Sequence, residues 1–178
     1  MIKIILDWDD TLFPTTSYFI MGWKLNWIEL DNKIYHLLYT IKKIGMIYIV
    51  TNANKMWVLN LLEKLPLTNS LMNNILIFSA RDIYENKIPM ELWKSFVFTR
   101  IVKKDDNNVI IIGDSDCEKD ALIELYKINN SRCLKLIRFI KNPSYHMVKD
   151  QLELLTLFFN DKNLVMTEKN MDFEFVLK

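Results

Sequence analysis

Five short apolar runs punctuate the chain: Ile2–Leu6, Met46–Val50, Ile75–Phe78, Val109–Ile112 and Leu134–Ile140. They are rich in isoleucine and valine and show no clean apolar–polar alternation, the pattern of parallel strands buried on both faces. Stretches with helical periodicity lie between them. Ile34, Leu37, Leu38 and Ile41 recur at i, i+3, i+4 and i+7, and Gly45 stands where the C′ residue of that helix is expected. Val58, Leu61, Leu62 and Leu65 repeat the pattern ahead of Pro66. Further helices are predicted over Met90–Val102, Glu118–Ile128 and Tyr145–Phe159, the last with Val148, Leu152, Leu155 and Phe159 on one face. Strands alternating with helices imply an α/β domain: a three-layer, Rossmann-like arrangement of a five-stranded parallel sheet with helices on both faces and right-handed crossovers. Residues after Asn160 are polar until Phe173–Leu177, read as a closing strand or a docked tail. With no linker, repeat or low-complexity segment, residues 1–178 read as one domain.

Composition narrows the function classes. The 178 residues carry a formal charge of +1, so no global electrostatic pull toward nucleic acid or anionic membrane is expected. Only three glycines are present (Gly22, Gly45, Gly113), which rules out GxGxxG and Walker A phosphate loops. Cys117 and Cys133 are too few for a disulfide scaffold, and no CxxC or His-rich tract points to zinc. The first apolar run is too short for a signal segment, and no apolar stretch approaches the ~20 residues that span a bilayer. The expectation is a cytoplasmic protein with reduced cysteines and no membrane partner.

The chemistry collects where strands end, because ligands of open α/β sheets bind at the carboxyl ends of strands. The first run leads into Asp7-Trp8-Asp9-Asp10-Thr11, the second into Thr51-Asn52, and the fourth into Gly113-Asp114-Ser115-Asp116. Carboxylates crowded on one rim repel unless a cation neutralises them. Mg²⁺ suits such a rim, taking a few carboxylates together with water and phosphate oxygens.

An apolar strand with DxDxT, a second ending in Thr51, a lysine at Lys94, and a strand ending in Gly113-Asp114 with Glu118 beyond it together resemble the four-part signature of the haloacid dehalogenase-like superfamily. A DxD alone also occurs in metal-dependent glycosyltransferases; four parts in order are far more specific. A narrower likeness is to capless members from protists and viruses: Asp7-Trp8-Asp9-Asp10-Thr11-Leu12, Val50-Thr51-Asn52-Ala53 with Trp57, Ser79-Ala80-Arg81 with Tyr84-Glu85, Trp93-Lys94, and Gly113-Asp114-Ser115 with Glu118.

The resemblance implies a Mg²⁺-dependent phosphatase. Asp7 would be the nucleophile, forming an aspartyl-phosphate, and Asp9 the general acid and base. Asp7, the Asp9 backbone carbonyl and Asp114 would hold the metal, with Glu118 orienting metal-bound water. Thr51 would hydrogen-bond the phosphoryl group beside Asn52, and Lys94 would neutralise the charge shared by Asp7 and the phosphate. Ser115 and Arg81 would support the site.

Plainer readings stand beside these. Asp10 shapes a turn, and Thr51 alone would cap a strand end. Lys87, Lys103 or Lys104 could take the place of Lys94, and Asp116 or Asp120 that of Glu118. Arg81 and Glu85 are either substrate contacts or a salt bridge, and His36 and His146 lack partners at ligand spacing. The Trp23/Trp27 pair fits a core or an interface.

A response-regulator receiver would need its acceptor aspartate after the third strand, and the order here is different. An inactive binding module on the same fold is the remaining alternative class. Asp9 favours ester cleavage over dehalogenation, since a halide leaves without a proton. Residues 13–32 leave room for one aromatic-rich helix or lid and not for a cap domain. The expected substrate is therefore bulky, a phosphate on a protein or a nucleic-acid end. Alternatively a second copy caps the site for a small metabolite.

Overall fold

The computed structural model describes residues 2–21, 24–131, 133–161 and 171–174. The five predicted strands are all present: β1 (Ile2–Leu6), β2 (Gly45–Thr51), β3 (Leu76–Ser79), β4 (Asn108–Gly113) and β5 (Cys133–Arg138). A sixth, β6 (Met171–Glu174), pairs with β5, so the sheet has one strand more than the pattern predicts. The part of the predicted closing segment beyond residue 174, like Gly22 and Trp23, lies outside the described residues. All pairings are parallel and the order is β3-β2-β1-β4-β5-β6. The chain winds outward from β1 in one direction and from β4 in the other. The seam between them is the topological switch point where such folds place their ligands.

The eight helices of the described chain are α1 (Thr15–Met21), α2 (Trp27–Ile41), α3 (Lys55–Leu62), α4 (Pro66–Leu71), α5 (Ala80–Tyr84), α6 (Trp93–Ile101), α7 (Asp116–Ile128) and α8 (Tyr145–Asn160). Alternate strand residues feed two cores, as a pleated strand requires. Ile4, Leu6, Ile49, Ile110 and Ile112 pack with Ile34, Leu38, Val58, Leu62, Val148 and Leu152, so α2, α3 and α8 cover one face. Ile5, Val50, Ile111 and Leu136 pack with Val97, Phe98, Ala121 and Leu125, so α6 and α7 cover the other. This is the three-layer α/β arrangement expected. No helix among the described residues is long and apolar enough to cross a membrane.

Two helices that the hydrophobic pattern missed are short. Helix α4 starts at Pro66, and the buried Asp31 of α2 accepts from the backbone N–H groups of Leu67 and Thr68 at 2.9 and 2.8 Å. Its N-terminal donors are thus satisfied from another helix. Helix α5 is capped by Ser79, whose hydroxyl accepts from the Asp82 N–H.

Gly45 does not serve as a C′ residue. Helix α2 ends at Ile41, with Lys42 at its C-cap, and Gly45 opens β2 opposite Ile2. A β-carbon there would stand 2.4 Å from the Ile2 carbonyl oxygen, so close backbone approach is what requires glycine. Gly45→Ala should therefore destabilise the fold by about 1–3 kcal/mol, since backbone cannot give way as a side chain can. Urea unfolding checks this, and a loss below about 0.5 kcal/mol would show that the two strands separate freely.

Candidate active site

The loop after β1 is anchored by apolar residues and presents acids. Trp8, Leu12 and Phe13 are buried, and the Trp8 carbonyl accepts from the N–H groups of Leu12 and Phe13, both at 2.9 Å. The Asp10 N–H donates back to the Phe13 carbonyl at 2.7 Å, closing the turn. Asp10 itself has φ of 53°, a left-handed conformation that aspartate tolerates better than most residues. Its carboxylate takes the Thr16 N–H (2.8 Å) and hydroxyl (2.6 Å), so Asp10 shapes the turn and ties it to α1.

Asp7 lies at the switch point, continuing β1, with its N–H donating to the Ile112 carbonyl of β4 at 2.9 Å. One carboxylate oxygen accepts from the Trp8 N–H at 2.8 Å. The other meets Lys94 Nζ at 2.9 Å. Lys94, on α6, is only 2% exposed and also contacts Glu118, itself 1% exposed. The second Glu118 oxygen accepts from the Ser115 N–H (3.1 Å) and hydroxyl (2.5 Å), forming the capping box that starts α7. Gly113 makes room for this carboxylate: a β-carbon there would lie 2.5 Å from Glu118 Cδ. Of the acids after β4, the structure joins Glu118 to Lys94. Asp116 is exposed and paired with Lys141 at 2.7 Å, and Asp120 is exposed on α7. Among the four lysines considered, Lys94 lines the cleft with Asp7.

Asp9 is gripped by neutral donors. One oxygen accepts from Thr15 Oγ1 (2.7 Å) and Trp57 Nε1 (2.9 Å), and the other from Thr51 Oγ1 (2.9 Å). Thr51 is fully buried and its hydroxyl also accepts from the Ala53 N–H at 2.9 Å. The structure thus commits the Thr51 hydroxyl to Asp9 and to the following loop, and a contact with phosphate would displace the Asp9 bond. The roles of Thr15 and Trp57 on Asp9 were not legible in the sequence, although Trp57 stood among the motif residues.

Asp7, Asp9, Thr15, Trp57 and Lys94 line a cleft of about 480 Å³ with Asp10, Asn52, Asn54, Phe19, Arg81, Asp114 and Ser115. The Asn52 amide oxygen is buried with no partner, and the Arg81 Nε is likewise buried without an acceptor. Glu85 is exposed, and Arg81 forms no ion pair with it. His36 and His146 lie away from the cleft, edge-on to Tyr35 and Tyr145.

Negative charge is in excess here. Burial pushes the Asp7 carboxyl well above the usual carboxylate range; Lys94 opposes this, while Glu118, Asp114 and Asp9 add to it. Burial and then Glu118 push the Asp114 carboxyl up to about 7. Burial works against charge on Lys94, but Asp7 and Glu118 outweigh it and hold the ammonium above its ordinary value. Several acids share one buried ammonium, and a cation would relieve that surplus. No ready-made cluster of three His, Cys, Asp or Glu side chains occurs among the described residues. Hydrogen bonds already occupy the Asp9 and Asp10 carboxylates, and Asp7 holds the Trp8 N–H and Lys94, so a cation at Asp7 and Asp114 would compete with Lys94 for Asp7. Two carboxylates with a backbone carbonyl, water and phosphate oxygens fit Mg²⁺.

Comparison with protein families, curated proteins and solved structures finds no match in any of the three.

The raised Asp114 value has a measurable consequence for stability in EDTA. The unfolded carboxyl ionises near 3.8 and the folded one near 7, so the folded state holds the extra proton between these values. Stability contributed by this group is therefore full below pH 4 and falls as pH rises to 7. Asp114→Asn should gain stability over the parent between pH 4 and pH 8, on the order of 2 kcal/mol after discounting for partial solvent access. Urea unfolding at both pH values reads it; an unchanged difference would show that Asp114 is solvated like a surface acid.

Proposed function

We propose that this chain is a Mg²⁺-dependent phosphohydrolase that cleaves phosphate monoesters through an aspartyl-phosphate on Asp7, as its likeness to the haloacid dehalogenase-like superfamily implies. The observation that carries the reading is the Asp7 carboxylate at the β1–β4 seam, ion-paired with the buried Lys94 and sharing one cleft with Asp9 and Asp114. Asp7 attacks phosphorus, an acyl-phosphate bond forms, and the bond from phosphorus to the leaving oxygen breaks. Asp9 supplies the proton that the leaving oxygen takes up. In the second half, Asp9 takes a proton from water as the water oxygen attacks phosphorus. The acyl-phosphate bond breaks, inorganic phosphate leaves and Asp7 is restored.

The donors around Asp9 bear on which of its oxygens would carry the transferred proton. An indole N–H only donates, so the oxygen facing Trp57 is ill suited to carry it. The opposite oxygen faces Thr51, whose hydroxyl can turn from donor to acceptor. Lys94, held cationic by Asp7 and Glu118, offsets charge on the attacking carboxylate and the phosphoryl oxygens. Mg²⁺ held by the Asp7 and Asp114 carboxylates and the Asp9 backbone carbonyl would neutralise phosphate charge so that one anion can approach another. Asn52 and Ser115 stand on the cleft wall, where phosphate oxygens would lie.

A bulky substrate suits this cleft. The chain between β1 and β2 forms α1, of seven residues, and α2, of fifteen. The open mouth leaves a phosphate displayed on a large molecule within reach of Asp7.

Phosphatase activity on p-nitrophenyl phosphate should require Mg²⁺, vanish in EDTA, and fall by roughly 10³-fold or more in Asp7→Asn. Full activity in either condition would overturn the mechanism and leave a binding module on the same fold. Asp9→Asn should slow alkyl phosphates more than aryl phosphates, because a phenolate leaves with less need of a proton. Comparing kcat/KM on the two ester types reads this, and equal losses would reduce Asp9 to a structural role.

A further inference from the structure

We infer that the cleft is shaped for a nucleotide unit, with a base resting on Phe19 and a second anionic group on Arg81, next to the phosphate cleaved at Asp7. This deepens the phosphohydrolase reading and rests on it.

Three features point this way. The first is an aromatic platform. Phe19, on α1, stacks on Trp57 with ring centroids 5.5 Å apart and planes 7° apart. Trp57 is fixed by its N–H bond to Asp9, by an edge contact from Phe13 and by a tilted contact from Tyr18. Phe19 nevertheless stays 72% exposed and lines the cleft, so its outer face is an open, flat apolar surface beside the acids. Flat bases stack on such rings whatever their identity. The second is Arg81, in the same cleft, with a buried Nε that meets no acceptor and with no ion pair among the described residues. A guanidinium without an ion pair, on the wall of a cleft it shares with Lys94, can take an anionic acceptor from outside. The third is the buried Asn52 amide oxygen, which lacks a donor.

A nucleotide within a strand brings a flat ring, a neighbouring phosphodiester and sugar or base donors at fixed spacing. A phosphopeptide brings all three only in particular sequences, so the observations favour the nucleotide. The unit could come from a free mononucleotide or from the phosphorylated end of a strand. Arg81 separates these sources, since only the strand carries a second phosphate.

The test uses the full chain as Asp7→Asn, which cannot turn over, with binding read by isothermal titration in Mg²⁺. The probes are thymidine 5′-monophosphate, the 5′-phosphorylated thymidine dinucleotide and a phosphotyrosine peptide. The dinucleotide should bind about tenfold tighter than the mononucleotide, and both tighter than the peptide. Adding Phe19→Ala should weaken both nucleotides severalfold, and because Phe19 is exposed the substitution leaves the buried core intact. Adding Arg81→Gln should remove the dinucleotide's advantage and leave the mononucleotide's affinity near its starting value. A dinucleotide no tighter than the mononucleotide assigns the site to free nucleotides and overturns the Arg81 assignment. A peptide that binds best, or nucleotide affinities that ignore Phe19, overturns the inference altogether. If small esters are hydrolysed but no nucleotide binds, the inference fails and the phosphohydrolase reading stands. If nucleotides bind in this pattern but no ester is cleaved, the reverse holds.

Discussion

A lysine buried between two carboxylates is the constraint on which the rest of the site depends. Lys94 carries its charge into a place where water scarcely reaches, and Asp7 and Glu118 make that tolerable. The arrangement ties three elements together at the switch point: the loop after β1, helix α6 and the start of α7. Glu118 also caps α7 through Ser115, so helix geometry and lysine position are set by one carboxylate. Removing one partner of such a cluster strands a buried charge, which generally costs more than the cluster contributes when intact.

A second network sits beside the first and is uncharged on the donor side. Thr15, Thr51 and Trp57 converge on Asp9 from α1, β2 and α3. The two acids that differ by two positions in sequence therefore have contrasting surroundings: an ammonium and burial for Asp7, hydroxyls and an indole for Asp9. In the proposed mechanism that contrast would separate their tasks, one as nucleophile and one as proton carrier. The Trp57 link also connects Asp9 to the open aromatic wall formed with Phe19.

The loop between β2 and α3 is braced from the neighbouring strand end. Ser79 donates to the Ala53 carbonyl at 2.7 Å, and Asp82 accepts from the Asn54 side chain (2.8 Å) and the Lys55 N–H (2.9 Å). Hydrogen bonds from Asn54, then Lys55, keep the Asp82 carboxyl below its ordinary value. This brace holds Asn52 on the cleft wall and places α5, with Arg81, beside it. Rigid support of this kind is what a site on a loop requires.

The amino-acid sequence by itself determined the strands, the longer helices and the rim on which the acids gather. Strands buried on both faces must be apolar throughout, and helices that cover them must repeat at 3.6 residues, so both leave local signatures in runs such as Ile2–Leu6 and Val58–Leu65. The Asp7 loop, Thr51 and Gly113-Asp114 were legible for the same reason: each sits at a strand end whose position follows from the pattern, whereas Lys94 rested on the family resemblance alone. Tertiary structure alone decided the rest. Helix α4 takes its cap from Asp31, more than thirty positions away, and Gly45 answers to the Ile2 carbonyl on another strand. Glu118, not Asp116 or Asp120, reaches Lys94 because the first turn of α7 directs only that side chain inward. Thr15 and Trp57 meet on Asp9, and Phe19 comes to lie over Trp57, by contacts between elements distant in the chain. Local patterns record what a residue's neighbours in sequence require of it, whereas hydrogen bonds and ion pairs across the fold record only where the elements finally pack.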